Sequence, residues 1–380
     1  MRMKKKKKLI VTITNRSSYN KVKTILTNLP AHVEPVLLLG NSIYFYKYGY
    51  AYQNIKNDFP DLRILKTSLA VEGDCLVKMP KTVGLGLIEL STLIDNENPD
   101  MILTVADRYE TMATAIAAAY VNVPLTHLQG GEISGTIDDK VRNAITQLAD
   151  YHFPATNDAA DRIMQMKPKD HDRIWNFGCP SMDLLTECIA DLNMMEKELN
   201  SHGVGDKINL HDPYMIVMLH PDTQGAMVTY KEVRIVFGAL DQFPHQKIVM
   251  WPNIDPGSDA IAKAWRLNEV LDWSAPIRYV RHLDSELFSA LLISCSCIVG
   301  NSSAGIREAT FLNLPSVTVG DRQKDREHGL NVFRTAFHEK AIKEAVERQM
   351  NMVFPFNPMY GDGNAGAKIG AQLGRILDAK

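Results

Sequence analysis

Apolar and polar positions alternate along this chain with two different periods. Short runs rich in Val, Ile and Leu read as strands near 9–14, 35–39, 101–105 and 124–128, and again near 214–219, 247–251, 277–280, 295–299 and 316–319. The longer stretches between them have helical spacing, the alternation expected of βαβ units built on parallel sheets. In the middle of the chain, 157–166 reads as a helix, 174–178 as a short strand, and Gly178-Cys179-Pro180 as a break before a further helix. The boundary between a first unit, 1–178, and a second, 179–363, is placed at that break. A terminal helix is expected from about Ala365 to Leu377, and the polar segment 202–213 reads as a loop leading into the second sheet.

The polar residues fall at one place relative to these strands. Asn15 and Arg16 follow the first strand, Asp107 and Arg108 the third, and Gln129 to Glu132 the fourth. In the second half His220, Asn253, His282, Gly300 to Ser303, and Asp321 with Arg322 do the same. Ligands of open parallel sheets bind outside the carboxyl ends of the strands, so two such edges are expected to face one cleft.

Composition changes this picture little. A chain of 380 residues with 45% hydrophobic and 23% charged positions has room for two ordinary globular cores. A net charge of −2 leaves no broad basic field for nucleic acid, and the cluster Lys4 to Lys8 reads as a solvated terminus. The five cysteines lack the paired spacing of a zinc site or a disulfide framework, which fits a reducing compartment. No stretch reaches the roughly 18 to 20 apolar residues of a membrane span. A cytoplasmic protein is the expectation.

Several segments carry candidate chemistry, each with a plainer alternative. In Gly300-Asn-Ser-Ser-Ala-Gly-Ile-Arg-Glu308, small residues admit a ligand close to the backbone, and the following helix start suits a diphosphate, with Arg16, Arg322 and Arg326 as cations. Ser302 or Ser303 could equally be only an N-cap. His220 is either a titrating or diphosphate-contacting group or a satisfied structural histidine. Asp107 is either a base or the N-cap of the helix after it. Asp362-Gly363-Asn364 looks like a turn capping the terminal helix, with a ligand contact as the alternative. The carboxylates Asp107, Glu132, Asp138 and Asp139, close to Arg142 on loops of one sheet edge, are hard to explain as surface decoration.

The run Gln129-Gly-Gly-Glu-Ile-Ser-Gly-Thr-Ile-Asp-Asp-Lys-Val-Arg142, continuing to His152, closely resembles the signature of hydrolysing UDP-N-acetylglucosamine 2-epimerases. The resemblance extends through Asn15-Arg16-Ser-Ser-Tyr19, Ala106-Asp-Arg108, His220-Pro221, Pro252-Asn-Ile-Asp255, Gly300-Asn-Ser-Ser303, Arg322-Gln323 and Tyr360 to Ala365, in order along nearly the whole chain. It implies a GT-B architecture of two Rossmann-like domains, with the last helix, within 364–380, crossing back to the first. It also implies a homodimer or homotetramer and a UDP-sugar substrate with an acetamido group at carbon 2, with no cofactor or metal required. The activity implied is elimination of UDP followed by hydration to the free 2-epimer, in the synthesis of sialic-acid-like sugars.

Carried onto this chain, the resemblance implies nucleotide-side roles for Arg16, Tyr19, Asn253, His282, Gly300, Asn301, Ser302, Ser303, Arg322, Arg326, Glu327, Asp362 and Asn364. Asp107, Gln129, Glu132, Asp138, Arg142 and His220 form the implied reactive set. Two positions depart from the family: Gln129 stands where a glutamate is usual, and Gly40-Asn41-Ser42 where a histidine is usual. Glutamine keeps hydrogen bonding but cannot exchange a proton. A glycosyltransferase using the same cleft, or a sugar-nucleotide binder without turnover, are the readings that compete with an epimerase.

Overall fold

The structure is a computed structural model that describes residues 6–46, 50–67, 70–73, 75–188, 191–222, 229–252, 255–268 and 273–379. Its framework is two open sheets. The first is built from β1 (Lys7–Ile13), β2 (Val33–Leu39), β3 (Arg63–Lys66), β4 (Met101–Val105), β5 (Leu125–Leu128) and β6 (Tyr151–Phe153), in the order β3-β2-β1-β4-β5-β6 and parallel throughout. The second contains β7 (Val204–Gly205), β8 (Tyr214–Met218), β9 (Gln246–Met250), β10 (Ile277–Val280), β11 (Cys297–Gly300), β12 (Ser316–Val319) and β13 (Val332–Thr335), in the order β13-β12-β11-β8-β9-β10-β7. Only the β7–β10 pair is antiparallel.

Central strands β4, β8 and β9 are buried at every position, as strands covered by helices on both faces must be. Helix Thr111–Val121 follows β4 and buries Ala113, Ala115, Ala117 and Ala118, whose small side chains let it lie close to the long helix Lys78–Glu97. The terminal helix Ala365–Asp378 does not belong to the second sheet. Its apolar stripe, Ala365, Ile369, Leu373 and Leu377, is buried in the same cluster as Leu9, Val11, Leu37 and Leu103 of the first sheet.

The chain passes between the two halves twice at one point. Gly178 and Gly361 meet there, both with positive φ, and a Cβ on Gly178 would lie 2.6 Å from the Gly361 Cα. Asp183, just beyond, accepts hydrogen bonds from the Ala365 and Gly366 amides at 3.0 and 2.6 Å and from the Thr24 hydroxyl at 2.9 Å. It therefore caps the terminal helix and ties it to the first half.

Four expectations change. Residues 174–178 form no strand; Ile174 makes a single bridge to His152. The loop expected over 202–213 contributes the short edge strand β7. Lys7 and Lys8 are not a solvated tail, since they open β1 and pair with Asp100 at 3.3 Å and Glu97 at 3.2 Å. The cap of the terminal helix is Asp183, whereas Asp362 is exposed and bonded to Lys368 at 2.7 Å, and Asn364 makes no side-chain cap.

Candidate functional site

Each sheet has a switch point where the strand order reverses, between β1 and β4 in the first and between β8 and β11 in the second. Crevices of open α/β sheets form at such points. A cleft of about 450 Å³ lies between the sheets, lined from the first by residues following β1 and β4 and from the second by residues following β8 and β11.

The first wall carries the carboxylates. Ala106 and Gln129, next after the ends of β4 and β5, and Asn41, two residues after the end of β2, take left-handed φ of 58°, 62° and 53°. Such angles cost a non-glycine residue about 1 kcal/mol or more and cluster at functional edges. The turn at Ala106 leaves Asp107 lining the cleft. Helix Ile137–Leu148 then begins at Thr136, and the Asp139 carboxylate accepts the Ser134 and Gly135 amides at 2.8 and 2.7 Å, which fixes that loop.

One turn apart on this helix, Asp138 faces the cleft and Arg142 lies fully buried behind it. Arg142 pairs with Asp107 and with Asp139 at 2.6 Å and donates to the Glu132 carbonyl at 2.6 Å. The two cleft carboxylates are thereby driven apart. Burial opposes ionisation of Asp107, but Arg142, Arg326 and Lys21 hold it well below the ordinary carboxylate range. Asp138 has no ion pair among the described residues, and burial together with the charge of Asp107 pushes it up to about 6.

The second wall is small and cationic. Gly300 ends β11 at φ 145°, where a Cβ would stand 1.9 Å from the Met218 carbonyl oxygen, so only glycine permits the join to β8. Asn301 locks that join, its carboxamide accepting from the His220 amide at 2.7 Å and donating to the His220 carbonyl at 2.8 Å. Ser302 caps Ala304 at 3.3 Å, and Ser303 lines the cleft. The helix that follows, Arg307–Leu312, is short, so cationic side chains rather than a long helix dipole face the cleft: Arg307, Arg322 and Arg326. His220 lines it too, with burial and Arg322 lowering its pKa to about 3.

Glu132 crosses from the first half to bind this cationic group. It accepts from Arg307 and from Arg326, the latter at 2.7 Å, and these two guanidiniums hold it ionised against its burial. Lys21, at the end of the short helix Arg16–Asn20, also lines the cleft. Its ammonium has no partner among the described residues, and burial with the neighbouring Arg307 lowers its pKa to about 8. Arg108 spans the cleft to Asp255 at 2.6 Å. Arg16 lines the cleft while bonding His282 at 2.8 Å.

The structure thus brings Arg16, Asp107, Asp138, His220, Ser302, Ser303, Arg322 and Arg326 together on the cleft surface. Other expected residues lie off it. Tyr19 is core, with its hydroxyl bonded to Asp58. His127 is fully buried between Thr146 and the Ala106 carbonyl, at 3.1 and 2.7 Å. Gln129, Glu132, Gly300, Asn301 and Arg142 stand behind the wall, and His282 positions Arg16 from beside it. Glu327 is turned toward Thr156, at 2.7 Å, and Arg162. Asp362 and Asn364 sit at the far end of the terminal helix's cap, and Asn253 lies outside the described residues. Sequence reasoning missed Lys21, Arg307 and Asp255. Arg307 was within reach of it, four residues after Ser303, but the reading of that motif stopped at the serines.

Two facing parallel sheets with a shared cleft between their switch points define a GT-B-like protein of two Rossmann-like halves. The family described as UDP-N-acetylglucosamine 2-epimerase matches residues 31–374, and the chain belongs to it. It is 32% identical over 294 residues, 76% of this chain and 74% of the relative, to the UDP-N,N'-diacetylbacillosamine 2-epimerase (hydrolyzing) of Legionella pneumophila. It is 29% identical over 350 residues, 91% of this chain and 88% of the relative, to the UDP-N-acetylglucosamine 2-epimerase of Neisseria meningitidis. The fold is shared with the Methanocaldococcus jannaschii UDP-GlcNAc 2-epimerase solved with UDP-GlcNAc and UDP, at a TM-score of 0.79, 17% identity, and coverage of 98% of this chain and 100% of that one. Among the described residues no helix is long and apolar enough to cross a membrane.

Proposed function

We propose that this protein is a hydrolysing UDP-sugar 2-epimerase, releasing UDP and the free 2-epimer of a 2-acetamido sugar. The observation that carries this reading is the cleft-facing Asp138, unpaired and raised to about 6, beside an Asp107 held ionised and opposite a cationic wall. Such a divergence of two neighbouring carboxylates separates an acid/base group from a fixed charge.

Carbon 2 of the sugar is not acidified by a carbonyl, so its proton leaves only as the bond from carbon 1 to the diphosphate breaks. Asp138 takes that proton, the bonding electrons form the double bond between carbons 1 and 2, and UDP departs with the electron pair of the broken bond. Asp107 remains negative and stabilises the positive charge that develops at carbon 1. Arg307, Arg322, Arg326, Arg16 and the Ser303 hydroxyl hold the departing diphosphate. Hydration then forms a bond from water oxygen to carbon 1, with one water O–H breaking and its proton passing to solvent, and adds a proton to carbon 2 from the other face, while Asp138 returns its proton to solvent. Lys21, the unpartnered ammonium lowered to about 8, is the group suited to deliver it. His220 stays neutral and contributes hydrogen bonding.

Substrates of this reading are UDP-N-acetylglucosamine or a UDP-2,4-diacetamido-6-deoxy sugar, and the product feeds nonulosonic-acid synthesis in the cytoplasm by a homodimer or homotetramer. The name of the Legionella relative supports both the hydrolytic mode and the second substrate. Incubation with each UDP-sugar in deuterated water tests it: UDP and a free 2-epimer with one deuterium at carbon 2 are expected. UDP binding without release, or release only when an acceptor sugar is added, overturns it.

A further inference from the structure

Gln129, which the resemblance sets where a glutamate is usual, has a fully buried side chain that does not line the cleft. Its Oε1 accepts from Arg307 Nη1 at 2.5 Å and its Nε2 donates to the Cys179 thiol at 2.9 Å. Arg307 does line the cleft, and its other terminal nitrogen donates to Glu132. Glu132 is also the carboxylate partner of Arg326. One carboxylate thus bonds two guanidiniums; of the nearby acids, Asp139 and Asp107 are engaged by Arg142, Asp107 reaches Arg326 only at 3.9 Å, and burial pushes the Glu308 carboxyl up, toward its neutral form. The Nε atoms of both Arg307 and Arg326 are buried without a hydrogen-bond partner, and Lys21 adds a further unpartnered cation to the same wall.

A glutamate at 129 could accept the same bond from Arg307, with the Cys179 thiol donating to its second oxygen. The contact would survive; the charge would differ. We propose that Gln129 meets Arg307 without neutralising it, so that the cluster of Arg307, Arg326 and Glu132 keeps a positive charge for the diphosphate of the nucleotide. This rests on the reading that the cleft holds a nucleoside diphosphate. Gln129 stands one guanidinium away from that anion, a range over which one unit charge at an effective dielectric near 20 changes a binding constant by about tenfold or more. The glutamine is then an adjustment of affinity, and proton transfer stays with groups that reach the cleft.

The test is titration of the full-length protein with UDP and with inorganic pyrophosphate, at low and high salt, for the wild type, Gln129→Glu and Gln129→Met. Methionine removes the hydrogen bond and adds no charge, and melting of each unliganded variant checks its folding. Gln129→Glu is expected to weaken both ligands about tenfold or more and to flatten the salt dependence, while Gln129→Met stays within about threefold of wild type. Unchanged UDP affinity in Gln129→Glu overturns the inference, as does an equal loss in Gln129→Met, which marks a structural role. A Gln129→Glu protein that turns over faster at unchanged UDP affinity also overturns it. A wild type that binds neither UDP nor pyrophosphate removes the nucleotide reading and this inference together, whereas wild-type binding with an unaffected Gln129→Glu removes the inference alone.

Discussion

The two walls of the cleft solve opposite problems. The first-sheet wall presents carboxylates on left-handed strand ends and braces them with one buried arginine, so that one acid is fixed as an anion and its neighbour titrates. The second-sheet wall presents small residues and guanidiniums, and Glu132 reaches over from the first half to two of them, Arg307 and Arg326. On the proposed reading, the groups that move a proton stand on the first wall, and most of the charge that receives the leaving group stands on the second. Substitutions on the first wall should therefore change turnover, and those on the second should change affinity.

The strongest test of that division is Asp138→Asn. Turnover should fall by about a thousandfold, within the range general base catalysis contributes, while UDP affinity stays within about threefold. Single-turnover UDP release alongside titration with UDP measures both. Next comes Arg142→Met, which leaves Asp107 and Asp139 without their buried partner; about 3 kcal/mol or more of folding stability should be lost in denaturant unfolding.

A pH series sharpens the assignment further. A base must be deprotonated to act, so kcat should fall about tenfold per unit as the pH drops below Asp138's value of about 6, and Asp138→Asn should abolish that limb. Smallest is Ser303→Ala on the second wall, expected to weaken UDP by about tenfold, the lower end of the worth of one hydrogen bond to a charged group, with kcat little changed.

Much of the architecture could be read from the chain because parallel strands buried on both faces leave long apolar runs, as in Met101–Val105 and Tyr214–Met218. The short or half-exposed strands escaped notice: Arg63–Lys66 has no buried position, and Val204–Gly205 is exposed at both. Among site residues, Asp107, Asp138 and Ser303 could be placed on the cleft because strand-end position decides where such side chains sit. Whether a residue after a strand faces the cleft or turns behind it depends on φ at the preceding position and on partners from the other sheet. Gln129 and Glu132 enter the reactive set only through the resemblance, and their partner Arg307, which draws them behind the wall, comes from a segment more than a hundred residues away. Tyr19 illustrates a related limit, since an amphipathic ring beside Arg16 can serve a ligand equally well or, as here, the core.

The last helix, packed on the helix Lys23–Thr27 with Ile369, Leu373 and Leu377 buried in the cluster that holds the apolar residues of β1 and β2, has a consequence for biosynthesis. A ribosome delivers the first sheet early, but the residues that seal its outer layer emerge only after the whole second sheet. The second half has no such debt, because its clusters draw on nothing before Ala155. The nascent N-terminal half therefore keeps an uncovered apolar face until residues 365–378 have been made, and the later-made half is free to finish first, the reverse of the usual vectorial order.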